Sequence, residues 1–444
     1  MALVLAITLL QCRAGEAVGQ PAPTSPGATA RVQLAGGLAA DIVTATKVTP
    51  VGELAAEALK NNPEIRAALN EWEAAQRRIQ PAGAIDDPML EAGVINAPLA
   101  SQTFRREDMT MKMLGLSQRF PFPGKRGLRQ DVATKDAESV GYAYQETVNR
   151  VVRDVKVAYF DLALVIESTR LTEKNEQVLE QFLKIAESRY AVGQGNQADV
   201  FKAQTQLSEV VGELIRLGRE RPAMEAELSR VLGRRSDVGA PLPETPRLQE
   251  MTLQLEALRD TALKERPQLL ALQSLIDRGT KTLDLARKEY YPDFDVTFSY
   301  GQRDKTLDGN RRDDMVSLTA AINLPVWRKS KLAPRVAEAI AMRDQAIDMY
   351  QAQQNEMSSK LRRQVASAEQ SLKSARLYET GILPQARLTV EASLAAYQVN
   401  RVDFLTLLDS QMTVFNYEIG YATALASYNK ALAEVDLLTG KPGP

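Results

Sequence analysis

The sequence contains no histidine. That removes the commonest general base and the commonest metal ligand. Cysteine occurs once, as Cys12, so a disulfide framework, a cysteine-rich zinc site and a Cys–His nucleophile are all excluded. Neither sign of charge dominates: 55 basic residues face 56 acidic ones, with no lone basic tract, so nothing draws the chain toward nucleic acid. An enzyme would have to work with carboxylates or lysines alone, and no motif of that kind stands out. The chain therefore reads as a non-enzyme, with no catalytic residue, cofactor or built metal site. After the first ten residues no run of 18 apolar residues occurs, so no transmembrane helix is expected.

What is present starts with "MALVLAITLL", too short to span a bilayer as a helix and suited to the apolar region of a secretory signal over 1–12. No Lys or Arg precedes it, and in "LLQC" Gln11 stands where a lipobox has a small residue. Two readings of Cys12 follow: the lipidated first residue of a mature lipoprotein, or part of a discarded leader. Either implies export. Residues 13–50, rich in Ala, Gly, Pro and Thr, read as an extended tether.

The rest is one unit written twice. "FPFPGKRGLR" (120–129) and "LPVWRKSKLA" (324–333) share Pro, Lys and Leu at an offset of 204, as do "LAAEALKNNPEIRAAL" (54–69) and "LRDTALKERPQLLALQ" (258–273). Further on the offset is 207: Tyr190, Val192, Gln204 and Gly233 match Tyr397, Val399, Gln411 and Gly440. The repeats span 51–235 and 250–440, joined by a Pro-rich linker at 236–249 and followed by a tail at 441–444. Each starts with a short helix (52–80; 255–289), followed by two strands and the Pro/basic motif. A very long helix, a tight turn and a return helix complete the unit.

The strands are clearest at "DFDVTFSY" (293–300) and "VSLTAAINL" (316–324), which alternate with an apolar and a polar face. Weaker equivalents lie at 89–96 and 110–120, and the charged loop at 301–314 must be solvated. The helices carry 3.5-residue seams: Val148, Val152, Val155, Tyr159, Leu162 and Ile166 in one, and Leu361, Val365, Ala368, Leu372 and Ala375 in the other. A helix over 131–191 would be roughly 90 Å long. Pro384 interrupts its counterpart and predicts a kink or boundary. Four strands cannot close a barrel, for which about eight is the minimum. With an export signal, the economical reading is a barrel shared by several subunits, apolar faces to lipid and polar faces to a lumen. The alternative is a periplasmic coiled-coil scaffold or adaptor with no pore.

The layout resembles the TolC-type outer-membrane efflux family. The doubled "ALKxxPE/Q" openings, "QRFPFPGKRGLR", "ILPQA" (382–386) and the doubled turn "YxV(G/N)" carry the resemblance over about 50–440. It implies a mostly helical homotrimer with a 12-stranded barrel, four strands per chain, in the outer-membrane lipid. An α-helical tunnel below would reach into the periplasm, dock on an adaptor and serve an inner-membrane pump, such as the resistance-nodulation-division type. Pro121, Pro123, Lys125, Pro325, Trp327 and Lys329 would then mark the strand-to-helix junction, the aromatics at the interface and the basic groups near headgroups. Val192, Gly193, Val399 and Asn400 would be adaptor-docking tips. Asn400, in place of Gly, suits a left-handed backbone.

Tyr397 and Asp409 match family constriction positions. Thr406 replaces an aspartate, with Arg401 and Asp403 as neighbours that compensate. Asp403 also fits a helix N-cap, and Asp409 a solvated face. The "PFPGK" form resembles the heavy-metal branch more than the drug branch. Met109, Met111 and Met113, alternating along one strand, read either as soft-metal contacts or as packing.

Overall fold

The computed structural model describes residues 48–98, 105, 107–235 and 241–441. The leader with Cys12, the tether as far as Lys47, residues 236–240 of the linker and the tail beyond Lys441 lie outside the described residues. The first half runs β1 (Val48–Thr49), α1 (Val51–Asn61), α2 (Pro63–Ala82), β2 (Met89–Ile95), β3 (Met111–Phe120), α3 (Lys125–Ala191) and α4 (Gln197–Leu232). The second runs β4 (Leu242–Pro243), α5 (Leu255–Glu265), α6 (Pro267–Lys288), β5 (Phe294–Gln302) and β6 (Met315–Ile322). It continues through a π-helical turn at Arg328–Leu332, α7 (Ala333–Leu377), a second π turn at Tyr378–Ile382, α8 (Leu383–Gln398) and α9 (Phe404–Thr439).

The single short helix expected at the start of each half is two helices. Pro63 and Pro267 force the preceding residue out of helical geometry, so Asn62 and Arg266 are both extended, with ψ near 120° (124° and 119°). Each proline then occupies the first helical position, where its missing N–H costs nothing. The two breaks are built alike. Gly233, which ends α4, and Gly440, which ends α9, have φ of +72° and +73°. A Cβ on Gly233 would lie 2.7 Å from the Asn61 carbonyl oxygen, and one on Gly440 2.7 Å from that of Glu265. Both glycines are needed twice over, for a left-handed cap and for backbone-to-backbone approach. Asn62 secures the first break by donating to Val231 O at 2.7 Å and accepting from Glu64 N at 2.7 Å.

α3 is 67 residues, about 100 Å of unbroken helix. Most of its seam packs in one core cluster: Val155, Tyr159 and Leu162 join Leu54, Leu228 and Leu232, with Val148 and Ile166 against them, while Phe182 belongs to a second with Leu179, Phe404 and Leu407. The counterpart is interrupted, as Pro384 requires, by the π turn just before it; Pro334 follows the other π turn in the same way. A wider turn relieves the clash and the lost bond that proline brings to an α-helix.

The four long strands form one antiparallel sheet in the order β2-β3-β5-β6, leaving β2 and β6 as edges. Phe120 lies opposite Phe294, and Phe294 opposite Ile322. β1 and β4 form a separate parallel pair. It is tied to α3 by the Tyr159 hydroxyl, which accepts from Glu244 N and donates to Thr49 O.

Candidate functional site

Three places carry the residues singled out in the sequence: the hairpin tips, the strand-to-helix junction and the sheet faces. At the tips both long hairpins end in the same cap. Gln194 N reaches Arg189 O at 2.9 Å and Gly193 N reaches Tyr190 O at 3.0 Å; Arg401 N reaches Ala396 O at 2.9 Å and Asn400 N reaches Tyr397 O at 3.1 Å. This pattern requires a left-handed residue, supplied by Gly193 (φ +72°) and, as expected, by Asn400 (φ +59°). Val192 and Val399 project at 67% and 62% exposure. Asn196 and Asp403 then cap the return helices: Asn196 Oδ1 accepts from Ala198 N at 3.1 Å, Asp403 Oδ1 from Thr406 N at 3.0 Å.

Asp403 is an N-cap, and the Thr406 side chain also donates to its carboxylate. These two hydrogen bonds hold the Asp403 carboxyl below the usual range. Asp409 is exposed on α9. Tyr397 is buried at the end of α8, its ring 5.5 Å from Phe404. Burial and the Asp199 charge push its hydroxyl up, partly opposed by Arg189.

Arg401, read in the sequence as compensating beside Asp403, is exposed, and no ion pair joins the two among the described residues. The side chain that joins the two tips within one chain is Arg189, which the sequence does not single out. Its guanidinium lies 4.5 Å from the centre of the Tyr397 ring and donates to Tyr397 O, Asn400 Oδ1 and Gln194 O. One side chain thus clasps both tips. A signal existed, since Arg189 sits beside the Tyr190 of the doubled turn, but its partner lies 211 positions away.

At the junction the two copies of the Pro/basic motif differ. Lys125 does not face headgroups: it is buried at 4% exposure and donates to Asp293 Oδ1 at 2.7 Å and Tyr291 O at 2.8 Å. Phe122 N donates to the same carboxylate at 2.8 Å, and the Phe122 ring stacks on Tyr291 at 4.7 Å. Burial would raise the Asp293 carboxyl, but the Lys125 and Phe122 hydrogen bonds and the charges of Lys125 and Arg129 outweigh it and hold it low. Pro121 is buried and Pro123 exposed. In the second copy Pro325 is half-buried while Trp327 and Lys329 are exposed, Trp327 at 70%.

The sheet is amphipathic across all four strands. One face carries Leu90 and Val94, Leu114, Leu116 and Phe120, Phe294, Phe298 and Tyr300, and Val316, Leu318 and Ile322, all at least 39% exposed. The other carries Ser117, Arg119, Asp295, Thr297, Ser299 and Thr319. Met111 and Met113 share this polar face, where Met111 packs over Gly301. Met109 precedes the strand, so the three methionines do not line one face as expected. The loops joining the strands are tied together by Arg312, which donates to Glu107 O at 2.8 Å and Arg105 O at 3.0 Å.

With this geometry in hand, the chain can be set beside known proteins. The family model described as outer membrane efflux protein matches residues 54–234 and again 258–441. The cobalt-zinc-cadmium resistance protein CzcC of Cupriavidus metallidurans is 23% identical over 393 residues, covering 86% of this chain and 87% of that protein. The cation efflux system protein CusC of Escherichia coli K12 is 20% identical, covering 82% and 80%. The crystal structure of the outer membrane protein VceC from Vibrio cholerae superposes with a TM-score of 0.75 at 18% identity, covering 88% of this chain and 96% of that one.

Proposed function

This chain belongs to the outer membrane efflux protein family, and from that premise we propose that it is the exit duct of a tripartite efflux system exporting metal cations. Three chains would close their four-stranded sheets into a 12-stranded barrel, the paired helices continuing as a periplasmic tunnel. The observation that carries this is the sheet. An exposed apolar face spanning four strands, backed by a polar face, is not left in water by a soluble protein; it suits lipid outside and a wet lumen inside. Strands of seven to ten residues are about the length a tilted transmembrane strand needs.

The tunnel would conduct without chemistry, selecting by the groups at its narrowest ring. Asp403 and Asp409 are the proposed carboxylates there. Val192, Gly193, Val399 and Asn400 form the tips offered to a periplasmic adaptor, itself coupled to an inner-membrane pump. Metal cargo is supported by the relatives, whose names specify cobalt, zinc, cadmium and cations.

Native mass measurement of the detergent-extracted protein should give a trimer, and a folded monomer would sink the duct. Replacing Asp403 and Asp409 together by Ala should reduce cation selectivity and block by trivalent cations in single-channel recordings. Wild-type selectivity in that variant would move the constriction elsewhere. Deletion of the gene should sensitise cells to cobalt, zinc or cadmium.

A further inference from the structure

Within one chain, the β3–β5 seam is locked just past its end. Lys125, five residues after Phe120, is buried on Asp293, one residue before Phe294, while Phe122 stacks on Tyr291. The duplication supplies a second set of these parts. β3 maps to β6 by 204 positions, so Phe122 becomes Val326 and Lys125 becomes Lys329. The ladders fix the other side. Met89 pairs with Ser117 and Asp295 with Ala321; since Ser117 maps to Ala321, Met89 maps to Asp295. Two and four residues earlier, Asp87 maps to Asp293 and Ile85 to Tyr291.

The second set is complete but divided between the open edges of the sheet. Lys329 and Val326 follow β6; Ile85 and Asp87 precede β2. All four are exposed, Val326 at 68% and Ile85 at 40%, and Lys329 and Asp87 have no ion-pair partner among the described residues.

We infer that these are one contact shared between two copies of the chain: Lys329 of one copy binds Asp87 of the next, with Val326 packed on Ile85, where the β6 edge meets the β2 edge. This rests on the shared-barrel reading above. The register that follows sets Ile322 opposite Leu90 and Leu318 opposite Val94, so the apolar faces join across the seam. A register two residues off would also keep the faces, but it would part Lys329 from Asp87. The ion pair thus selects one register, as a polar contact can at an assembly interface.

The test is charge exchange in the full chain. Lys329→Asp and Asp87→Lys should each lower the trimer fraction in detergent several-fold, and the double exchange should recover most of it. Independently, Asp87→Cys with Lys329→Cys should give a covalent ladder to the trimer with a short bis-maleimide, absent in either single variant. A trimeric wild type with neither rescue nor ladder would overturn this seam and leave the duct standing. A monomeric wild type would overturn the duct itself, and the seam with it.

Discussion

Arg189 is the residue on which the tips depend most. It holds a charge-assisted bond to a backbone carbonyl of the opposite hairpin and stacks on Tyr397, and its Nε is buried without a hydrogen-bond partner among the described residues. Arg189→Ala should destabilise the tips by about 2–3 kcal/mol. Hydrogen exchange at 192–196 and 399–403 should quicken accordingly. Arg189→Lys should restore only part, because an ammonium lacks the planar fork that reaches three acceptors. Unchanged exchange in the Ala variant would mean that the caps alone hold the tips. Asp293 makes a pH prediction. Its folded carboxyl titrates below its unfolded value, about 3.9. Its contribution is therefore present above that value and disappears as pH falls through the lower folded one. Asp293→Asn leaves Lys125 buried without its counter-charge and should cost about 3–5 kcal/mol at pH 7. The gap in thermal midpoint between variant and wild type should narrow as pH falls below the unfolded carboxyl value and through the lower folded one; a gap constant with pH would deny the ion pair its role. Neither partnership was legible in the sequence. Lys125 looks like any basic residue in a basic motif, and its burial is decided by a residue 168 positions away.

Elements were far easier to read than contacts. Period-2 strands, a heptad seam and Pro384 each act locally, so their consequences could be stated without the fold. The split helix at Pro63 and Pro267 was also local and was overlooked, although both prolines lie within the doubled "ALKxxPE/Q" openings. The matched glycines were noticed only as identities. Gly233 and Gly440 close on backbone atoms of the helix breaks, and a pattern along the chain cannot show that. A comparison among glycines isolates this effect. Gly193→Ala meets no atom within 4 Å, so only the left-handed backbone should count, about 1–2 kcal/mol. Gly233→Ala and Gly440→Ala add a collision with a carbonyl oxygen and should each cost about 3 kcal/mol or more. Chemical unfolding should separate one mild variant from two severe and similar ones; three equal losses would show that conformation alone is at stake.

At the scale of the whole molecule, the sheet decides where the protein can live. Arg at Val296 or Leu318 should cost about 2–4 kcal/mol if the site lies near the bilayer midplane, whereas Thr297→Arg on the polar face should assemble normally. Quantifying trimers extracted from membranes would check this, and equal assembly of all three would deny the apolar face its lipid. The other whole-molecule feature is the unbroken α3. An unbroken helix of about 100 Å is a lever, and the buried Lys125–Asp293 pair sits at its fulcrum. A rotation of about 5° there would sweep a free tip through roughly 9 Å by simple trigonometry on that length. Packing along the helix shares and damps the swing, but slack at one end must still be taken up somewhere along it. Spin labels placed at Val192 should therefore report a broader distance distribution between copies in Asp293→Asn than in the parent, although the altered side chain lies a full helix length away.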